Sequence, residues 1–296
     1  MRLAVVTATI DLKRSEQCRF SWEVQSRGAY REYIVHQGPT HHAEQWHQQA
    51  LPPRRVDVYY VPEILGVVPA FALGVQKALE DGADIICAFH DDLEIEQDGW
   101  DEDVIRLFQE HPQAGLCGFG GAKGLGSDDI YQTPYNPMQL ARQGFRSNMR
   151  HAEAHGVRSL VVEPVACLDG FSQIGTRAFW RGESLHAENG EVWQPGKNLL
   201  QIMQEWGIIH HCFDSLLGCW AKRLEYQTWY LPIKCHHQGG VTAVGDARYH
   251  TWANHHARQT DRLEGIEEEG TGDQVFWLRS HKIGYENFRD VLPIRS

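Results

Sequence analysis

The sequence predicts an α/β fold in which a doubly wound, mostly parallel sheet carries helices on both faces. Over residues 1–119, apolar runs of strand length alternate with segments of helical spacing, as in βαβ units. The run at 84–92 (Asp-Ile-Ile-Cys-Ala-Phe-His-Asp-Asp) has a continuously apolar middle, which is typical of a strand buried on both faces. It ends in two adjacent carboxylates, and open α/β sheets bind ligands beyond the carboxyl ends of their strands.

The local pattern predicts the individual elements in order. Short apolar runs predict strands at 3–9, 33–36, 56–61, 84–92, 114–119 and 228–235, and ordered structure resumes at 160–168. Helical spacing predicts helices at 69–79, 100–110, 195–206 and 212–225. Pro69 suits a first helical turn, and Pro112 ends the helix that precedes it.

The remaining segments are predicted to be irregular. The glycine-rich run at 118–126 lacks the order of a Walker loop and opens no evident helix, which favours a flexible loop over a phosphate cradle. Residues 127–158 are polar and are expected to form a lid or an acceptor-side loop. We expect a main domain over 1–240 and a C-terminal extension over 241–296 that packs on it.

Composition narrows the class of protein. The net charge of −11 over 296 residues disfavours a broad nucleic-acid footprint. The longest apolar stretch, 65–75, contains Pro69 and is too short to span a bilayer, so no integral membrane segment is expected. Seven scattered cysteines without a Cys-x-x-Cys pair suit a reduced protein, and no secretory signal is visible, so a cytoplasmic location is expected.

The carboxylates of Asp91 and Asp92 are the strongest chemical signal in the chain. Mg²⁺ and Mn²⁺ prefer oxygen ligands, and Mg²⁺ commonly bridges carboxylates to substrate phosphates. This indicates an enzyme that handles a metal-bound diphosphate. The alternative is that the two acids only begin a surface turn.

Several segments, in this order, resemble one family. They are Thr7-Ala8-Thr9, Asp91-Asp92, Leu168-Asp169-Gly170-Phe171, Arg177-Ala178-Phe179, Cys212-Phe213-Asp214, Tyr226 and the stretch 229–237. Together they resemble a nucleotide-sugar glycosyltransferase of the GT-A fold, similar to the large inverting family two. The resemblance covers about residues 1–240 and implies a doubly wound GT-A sheet and a divalent cofactor, Mn²⁺ or Mg²⁺.

The resemblance implies a metal site after the acidic strand. By position Asp92 is the metal ligand, and Asp91 contacts the donor ribose or reaches the ion through water. His90 stands where the family has its first acid and is expected to be a packing residue or to support a ligand. His237 is expected to complete the metal shell, with His236 in reserve. A neutral imidazole suits Mn²⁺ better than Mg²⁺.

The resemblance also implies a catalytic base, which is Asp214, twelve residues before Tyr226. Phe213 and Leu216 stand where acids are common in the family, and Glu225 occupies a usual glycine position. The alternative for Asp214 is a helix N-terminal acid that the helix dipole stabilises by about 0.3–1 kcal/mol.

The other implied site residues surround the donor. Asp169 and Gly170 are expected beside the transferred sugar or the acceptor, where glycine lets the backbone approach closely. The remaining donor-binding residues are predicted to be Thr7, Ala8, Thr9 and Gln37. Gln37 replaces an acid of the family, and its amide can still read a uracil-like edge, so a UDP-sugar is the favoured donor. The acceptor is a glycan or another hydroxyl compound, with a hydroxylated DNA base as a further candidate.

Two other functions compete with this one. Paired histidines at 41–42, 210–211, 236–237 and 255–256 suggest a metal-dependent hydrolase, although none has the His-Glu-x-x-His spacing. The departures at Phe213 and Leu216 suggest a domain that binds a glycan or a nucleotide without catalysis.

Overall fold

The computed structural model describes residues 1–38, 55–126, 142–150, 156–186, 192–239, 248, 250–255 and 272–296, with the backbone alone at 272–278. The strands are β1 Leu3–Thr9, β2 Tyr30–Gln37, β3 Val56–Val61, β4 Ile85–His90, β5 Leu93–Ile95, β6 Ala114–Gly118, β7 Gly120–Leu125, β8 Arg142–Ser147, β9 Val157–Arg158, β10 Glu163–Val165, β11 Cys167–Leu168, β12 Ser172–Thr176, β13 Gln227–Tyr230, β14 Cys235–His237 and β15 Ile294–Arg295. The helices are α1 Leu12–Val24, α2 Val67–Glu80, α3 Trp100–Glu110, α4 Arg177–Trp180, α5 Leu199–Glu205, α6 Phe213–Arg223 and α7 Gly272–Phe288.

A central sheet of eight strands organises the molecule, in the order β10-β13-β6-β12-β4-β1-β2-β3. The strand pairs β3–β2, β2–β1, β1–β4 and β6–β13 are parallel. Two strands, β12 and β10, run antiparallel to their neighbours. The predicted α/β class with a mostly parallel sheet is therefore confirmed.

Alternating side chains of β4 explain why its sequence is apolar throughout. Ile86 and Ala88 pack into one core cluster, which also receives α2, α5 and α6. Ile85, Cys87 and Phe89 pack into a second cluster, which receives α1 and α3. Successive residues of a strand face opposite sides of the sheet, so helices cover both faces of β4. The helices predicted on both faces are present.

Helix α1 was not predicted from the sequence. Asp11 caps it, since its carboxylate accepts hydrogen bonds from the backbone N–H groups of Lys13 (3.1 Å) and Arg14 (3.3 Å). Its buried residues include Leu12, Cys18 and Trp22, but Phe20 and Val24 are exposed, so apolar residues lie on both faces and the periodicity is faint. Trp22 anchors the helix by donating its indole N–H to the carbonyl of Leu93 at 2.7 Å.

The glycine-rich run at 118–126 is mostly a strand, so the loop prediction was wrong. Residues Gly120–Leu125 form β7, which pairs with β8, β11 and β15 in a second sheet. At the start of this run, Gly118 ends β6 and must be glycine because the backbone of β12 approaches it closely. A Cβ on Gly118 would lie 2.3 Å from the carbonyl oxygen of Ser172.

The irregular segment predicted at 127–158 contains β8 and β9. Residues 127–141 and 151–155 of that segment lie outside the described part of the chain, so the lid or acceptor-side loop stays a prediction. The strand predicted at 228–235 is also corrected, because β13 ends at Tyr230 and Cys235–His237 forms β14, which pairs with β5 in a separate two-stranded sheet.

The C-terminal residues pack on the main core. Phe288, Leu292 and Ile294 belong to the same core cluster as Trp220, and the rings of Phe288 and Trp220 lie 5.3 Å apart. The domain boundary at 240 adjoins residues outside the described ranges and stays a prediction. Among the described residues, no helix has the length and apolar character needed to cross a bilayer.

Candidate active site and metal centre

The acidic pair lies at the carboxyl edge of the parallel strands. Ala8 of β1 pairs with His90 of β4, so the chain leaves both strands at the same edge of the sheet. A two-residue turn then holds Asp91 and Asp92, which are 8% and 6% exposed. The pair therefore lies where the sequence predicts a ligand site.

A short antiparallel pairing brings a distant histidine to this turn. In the β5–β14 pair, His237 lies opposite Leu93, and the next backbone N–H, that of Gln238, donates to the carbonyl of Asp92 at 3.2 Å. His237 Nε2 then lies 3.2 Å from Asp92 Oδ1, and His90 Nδ1 lies 3.9 Å from the same oxygen. One possible ligand atom from each residue lies within 4.8 Å of the other two. We call these residues the His90–Asp92–His237 cluster.

The electrostatics of the cluster suit a cation. Burial raises the pKa of Asp92, but the adjacent His237 and His90 outweigh burial and lower it to about 2. Burial lowers the pKa of His237, yet the Asp92 carboxylate outweighs burial and raises it. Burial lowers the pKa of His90, so its imidazole is neutral at pH 7. Asp92 Oδ1 and His237 Nε2 are buried, and neither has a well-formed hydrogen bond to any residue that the structure describes. These atoms fit a divalent ion as ligands.

Aromatic rings fix the two imidazoles. The Phe171 ring stacks on His237 with centroids 4.7 Å apart, and the Phe71 ring stacks on His90 with centroids 6.1 Å apart. His236 points elsewhere, with its Nδ1 3.6 Å from Glu94 Oε2. The structure thus brings His237, and not the reserve candidate His236, to Asp92.

Asp91 faces away from the cluster. Its Oδ2 accepts a hydrogen bond from Thr9 Oγ1 (2.6 Å) and forms an ion pair with Arg14 Nη2 (2.8 Å). Burial raises the pKa of Asp91 in spite of Arg14. The structure therefore does not join Asp91 to the predicted metal ligands, because its charge is already matched by a guanidinium.

The predicted base lies beside an arginine. Arg142 forms an ion pair with Asp214 and another with Asp169, at 3.1 Å from Asp169 Oδ2. The backbone N–H of Ser215 donates to Asp214 Oδ1 at 2.7 Å. Burial raises the pKa of Asp214, but the Arg142 charge outweighs burial and the pKa is lowered. Asp214 is therefore ionised, and it also lies in the first turn of α6, as the alternative reading of this residue expects.

Gly170 lies between the Asp214 carboxylate and the His90–Asp92–His237 cluster. A Cβ at this position would be 3.2 Å from Asp214 Oδ2 and 3.5 Å from His90 Cε1. The carboxylate and the cluster thus face one small space, which the absence of a side chain keeps open. A reacting group can be held there in contact with both.

The residues predicted to line the nucleotide pocket lie nearby in the sheet. Thr7 Oγ1 is buried without a hydrogen bond, whereas Thr9 is bonded to Asp91, and Ala8 lies between them on β1. Gln37 uses its side-chain oxygen to accept from the N–H groups of Leu65 (2.7 Å) and Gly66 (3.1 Å). Only the amide N–H₂ of Gln37 remains for a ligand, so the predicted donating and accepting contact is reduced to a donating one.

Sequence reasoning did not single out two arginines of this site and expected a different role for one histidine. Arg14 has a local signal, since Asp11 caps the helix that carries it. Arg142 has no local sequence signal, because its partners Asp169 and Asp214 lie 27 and 72 residues away along the chain. His90 was expected to be a packing residue or to support a ligand, and it lies among the possible metal ligands.

Among solved structures, those of S. aureus TarS are similar to this chain in fold. No protein-family model and no curated protein matches the chain. The crystal structure of S. aureus TarS 1–349 matches 95% of this chain and 72% of its own at 12% identity and a TM-score of 0.49. The same TarS portion in complex with UDP-GlcNAc has a TM-score of 0.46 at 12% identity and the same coverage. A longer TarS structure matches 93% of this chain and 42% of its own, at 12% identity and a TM-score of 0.48. At this level the likeness does not identify a reaction or a substrate.

Proposed function

We propose that this chain is a glycosyltransferase of the GT-A type, which moves a sugar from a nucleoside-diphosphate sugar to an acceptor hydroxyl with the aid of a divalent cation. One observation carries the proposal: the Asp214 carboxylate and the His90–Asp92–His237 cluster face one gap at Gly170, at the carboxyl edge of a parallel sheet. A base and a cation are the two charges that this transfer requires on either side of the reacting carbon.

The leaving side of the reaction lies at the end of β4. A nucleoside diphosphate departs with growing negative charge, through a transition state with oxocarbenium character. A divalent cation held by Asp92 and His237 would supply charge neutralisation for that leaving group. Arg14, which lies next to the cluster on Asp91, adds a fixed positive charge on the same side.

The acceptor side lies at the start of α6. Asp214 receives the hydroxyl proton as the new bond forms, a contribution of about 10²–10⁴-fold in rate. Arg142 keeps this carboxylate ionised and orients it, because the guanidinium binds Asp214 and Asp169 together. Attack from the side opposite the diphosphate inverts the anomeric carbon, so an inverting outcome is part of the proposal.

The donor is proposed to be a UDP-sugar. Thr7, Ala8 and Thr9 lie at the end of β1, beside β4, where the nucleotide of a doubly wound sheet binds. The free amide N–H₂ of Gln37 can donate to a carbonyl of the base. Asp169 and Gly170 lie at the gap and would contact the sugar or the acceptor, which is proposed to be a glycan or another hydroxyl compound.

A panel of nucleotide sugars with Mn²⁺, followed by thermal unfolding, tests the proposal. A ligand present at 100 times its dissociation constant stabilises the protein by about 2.7 kcal/mol. We expect one donor to raise the midpoint in wild type and in Asp214→Asn, but not in Asp92→Ala. Asp214→Asn is expected to lose turnover of that donor. Near-full turnover in Asp214→Asn would show that Asp214 is not the base.

A second candidate function is a metal-dependent hydrolase. One observation favours it: two imidazoles and one carboxylate also make up the protein ligands of some catalytic zinc sites. Such an enzyme would turn over an ester or an amide with Zn²⁺ and would need no nucleotide. Turnover that occurs only with a nucleotide sugar would favour the glycosyltransferase. Turnover of an ester or an amide with Zn²⁺ and no nucleotide would favour the hydrolase.

A further inference from the structure

We infer that His90 is a metal ligand and that the His90–Asp92–His237 cluster is selective for a transition-metal ion, such as Mn²⁺, Co²⁺ or Zn²⁺, over Mg²⁺. The inference extends the proposed function by naming the ion that its site prefers. It rests on the proposed function only for the statement that the ion lies beside a diphosphate. Binding of the ion itself requires no nucleotide.

The backbone places the three ligands before any ion binds. His90 is the last residue of β4, and its N–H donates to the carbonyl of Phe171 at 3.1 Å. Asp92 follows in the turn between β4 and β5, and His237 is held opposite Leu93 by the β5–β14 pairing. Ligands on paired strands are pre-organised, so little freedom is lost when an ion binds.

The distances agree with a single ion at the centre of the cluster. Zn²⁺ bonds to nitrogen and carboxylate oxygen at about 2.0–2.2 Å, which sets neighbouring ligand atoms roughly 3–3.5 Å apart. His237 Nε2 and Asp92 Oδ1 are 3.2 Å apart, and His90 Nδ1 is 3.9 Å from Asp92 Oδ1. Within the described ranges His90 Nε2 makes no hydrogen bond, so the ring can turn towards the ion without breaking one.

The unmet hydrogen bonding of Asp92 is an independent sign of a cation. The Asp92 side chain is only 9% exposed, and its Oδ1 is buried without a hydrogen-bond partner among the described residues. Buried carboxylate oxygens normally accept hydrogen bonds or bind metal, because water has been removed from them. The imidazoles of His90 and His237 face this oxygen, but neither donates a hydrogen bond of good geometry to it.

The ligand types decide which ion is preferred. Arg14 and Thr9 already engage Asp91, so Asp92 is the one carboxylate of the cluster. Mg²⁺ requires near-octahedral oxygen ligands, whereas imidazole suits Zn²⁺ and its transition-metal neighbours. His90 supplies a nitrogen ligand rather than a second carboxylate oxygen and so shifts the preference away from Mg²⁺.

Binding of Co²⁺ to the full chain tests the inference, with the protein freed of metal by EDTA and with no nucleotide present. The d–d absorption of Co²⁺ reports nitrogen ligation, and calorimetry gives the affinity for Co²⁺, Zn²⁺, Mn²⁺ and Mg²⁺. We expect Co²⁺ to bind at least about tenfold more tightly than Mg²⁺, and His90→Gln to weaken Co²⁺ at least about tenfold. The matched control is His236→Gln, which removes the neighbouring imidazole on Glu94 and is expected to keep the wild-type Co²⁺ affinity.

A second variant keeps the test decisive if His90→Gln does not fold. His90→Asp supplies an oxygen in place of the nitrogen and is expected to raise Mg²⁺ affinity relative to Co²⁺ by about tenfold. Wild-type Co²⁺ affinity in His90→Gln, or an unchanged Mg²⁺ to Co²⁺ ratio in His90→Asp, would overturn the inference.

The outcome separates the inference from the proposed function. If a nucleotide sugar binds and turns over with Mg²⁺ while His90→Gln keeps the wild-type Co²⁺ affinity, the inference fails and the proposed glycosyltransferase function is retained. If Co²⁺ binds through His90 and no nucleotide sugar binds, the inference stands and the proposed function fails.

Discussion

The substitution Gly170→Ala tests whether the gap between Asp214 and the metal cluster is where the reaction occurs. The added methyl would lie 3.2 Å from Asp214 Oδ2, 3.4 Å from Phe213 Cζ and 3.5 Å from His90 Cε1. The first contact is a few tenths of an ångström too short, so the carboxylate must shift by about that much. Such overpacking costs about 1 kcal/mol, at the low end of the usual range because the shift is small.

The stability of Gly170→Ala is expected to change little. Replacing glycine lowers the entropy of the unfolded chain and stabilises by about 0.4–1 kcal/mol, which offsets the overpacking. We therefore expect the unfolding midpoint to move by no more than about 2–4 °C. Turnover is expected to fall at least about tenfold, because a misplacement of 1 Å costs about 10²-fold and the methyl also narrows the gap.

The assay measures donor turnover and unfolding on the same preparations. Gly124→Ala on β7 is the matched control, since its methyl would meet Arg295 and Gln143 at an ordinary 3.4 Å, outside the site. We expect this control to keep wild-type turnover. A Gly170→Ala protein that folds and turns over at the wild-type rate would refute the placement of the reaction at this gap.

Three further predictions concern stability and reactivity. Arg142→Gln leaves Asp214 without its guanidinium and is expected to destabilise by about 2–4 kcal/mol at pH 7 in urea unfolding. In wild type the Arg142–Asp214 pair stabilises the folded state fully above the ordinary pKa of Asp214, and this stabilisation is lost as the pH falls through the lowered pKa of the folded state. The difference in unfolding free energy between wild type and Arg142→Gln must therefore shrink in acid. A difference that stays constant with pH would contradict the ion pair. Gly118→Ala is expected to prevent folding, since its methyl would lie 2.3 Å from the Ser172 carbonyl oxygen, and a soluble, protease-resistant variant would contradict this close approach of β6 to β12. All seven cysteines are free and buried, and burial raises the pKa of Cys18 to about 12, so Ellman's reagent at pH 8 is expected to label them slowly before denaturation and completely after it; one rapidly labelled thiol in the native protein would contradict this burial.

The sequence specified the central sheet well because its signal is local. The strand at β4 is apolar on both faces, since Ile86 and Phe89 enter different cores, and that continuous pattern is visible in the residues themselves. The helix predicted at 100–110 matches Trp100–Glu110, because its buried residues recur at helical spacing. Predictions failed where local pattern and tertiary context disagree, as in the glycine-rich β7, whose glycines permit close pairing with other strands.

The candidate site was only partly predictable from the sequence. The acids at 91 and 92 were visible because they end a strand, but the different surroundings of the two carboxylates depend on Arg14, which pairs with Asp91. The contact between Arg142 and Asp214 joins segments 72 residues apart and leaves no trace in either one. The resemblance supplied Asp214 and His237 and placed His90 next to the acidic pair, but it gave no reason to expect His90 among the possible metal ligands.

The most direct test of the central claim is a crystal soaked with Mn²⁺ and the UDP-sugar that stabilises the protein best. Anomalous scattering at the manganese edge locates the ion independently of the sugar nucleotide. We predict an anomalous peak within bonding distance of Asp92 and His237, with the diphosphate on the ion and the sugar pointing to Gly170. A nucleotide bound elsewhere, with no manganese peak at this turn, would contradict the account.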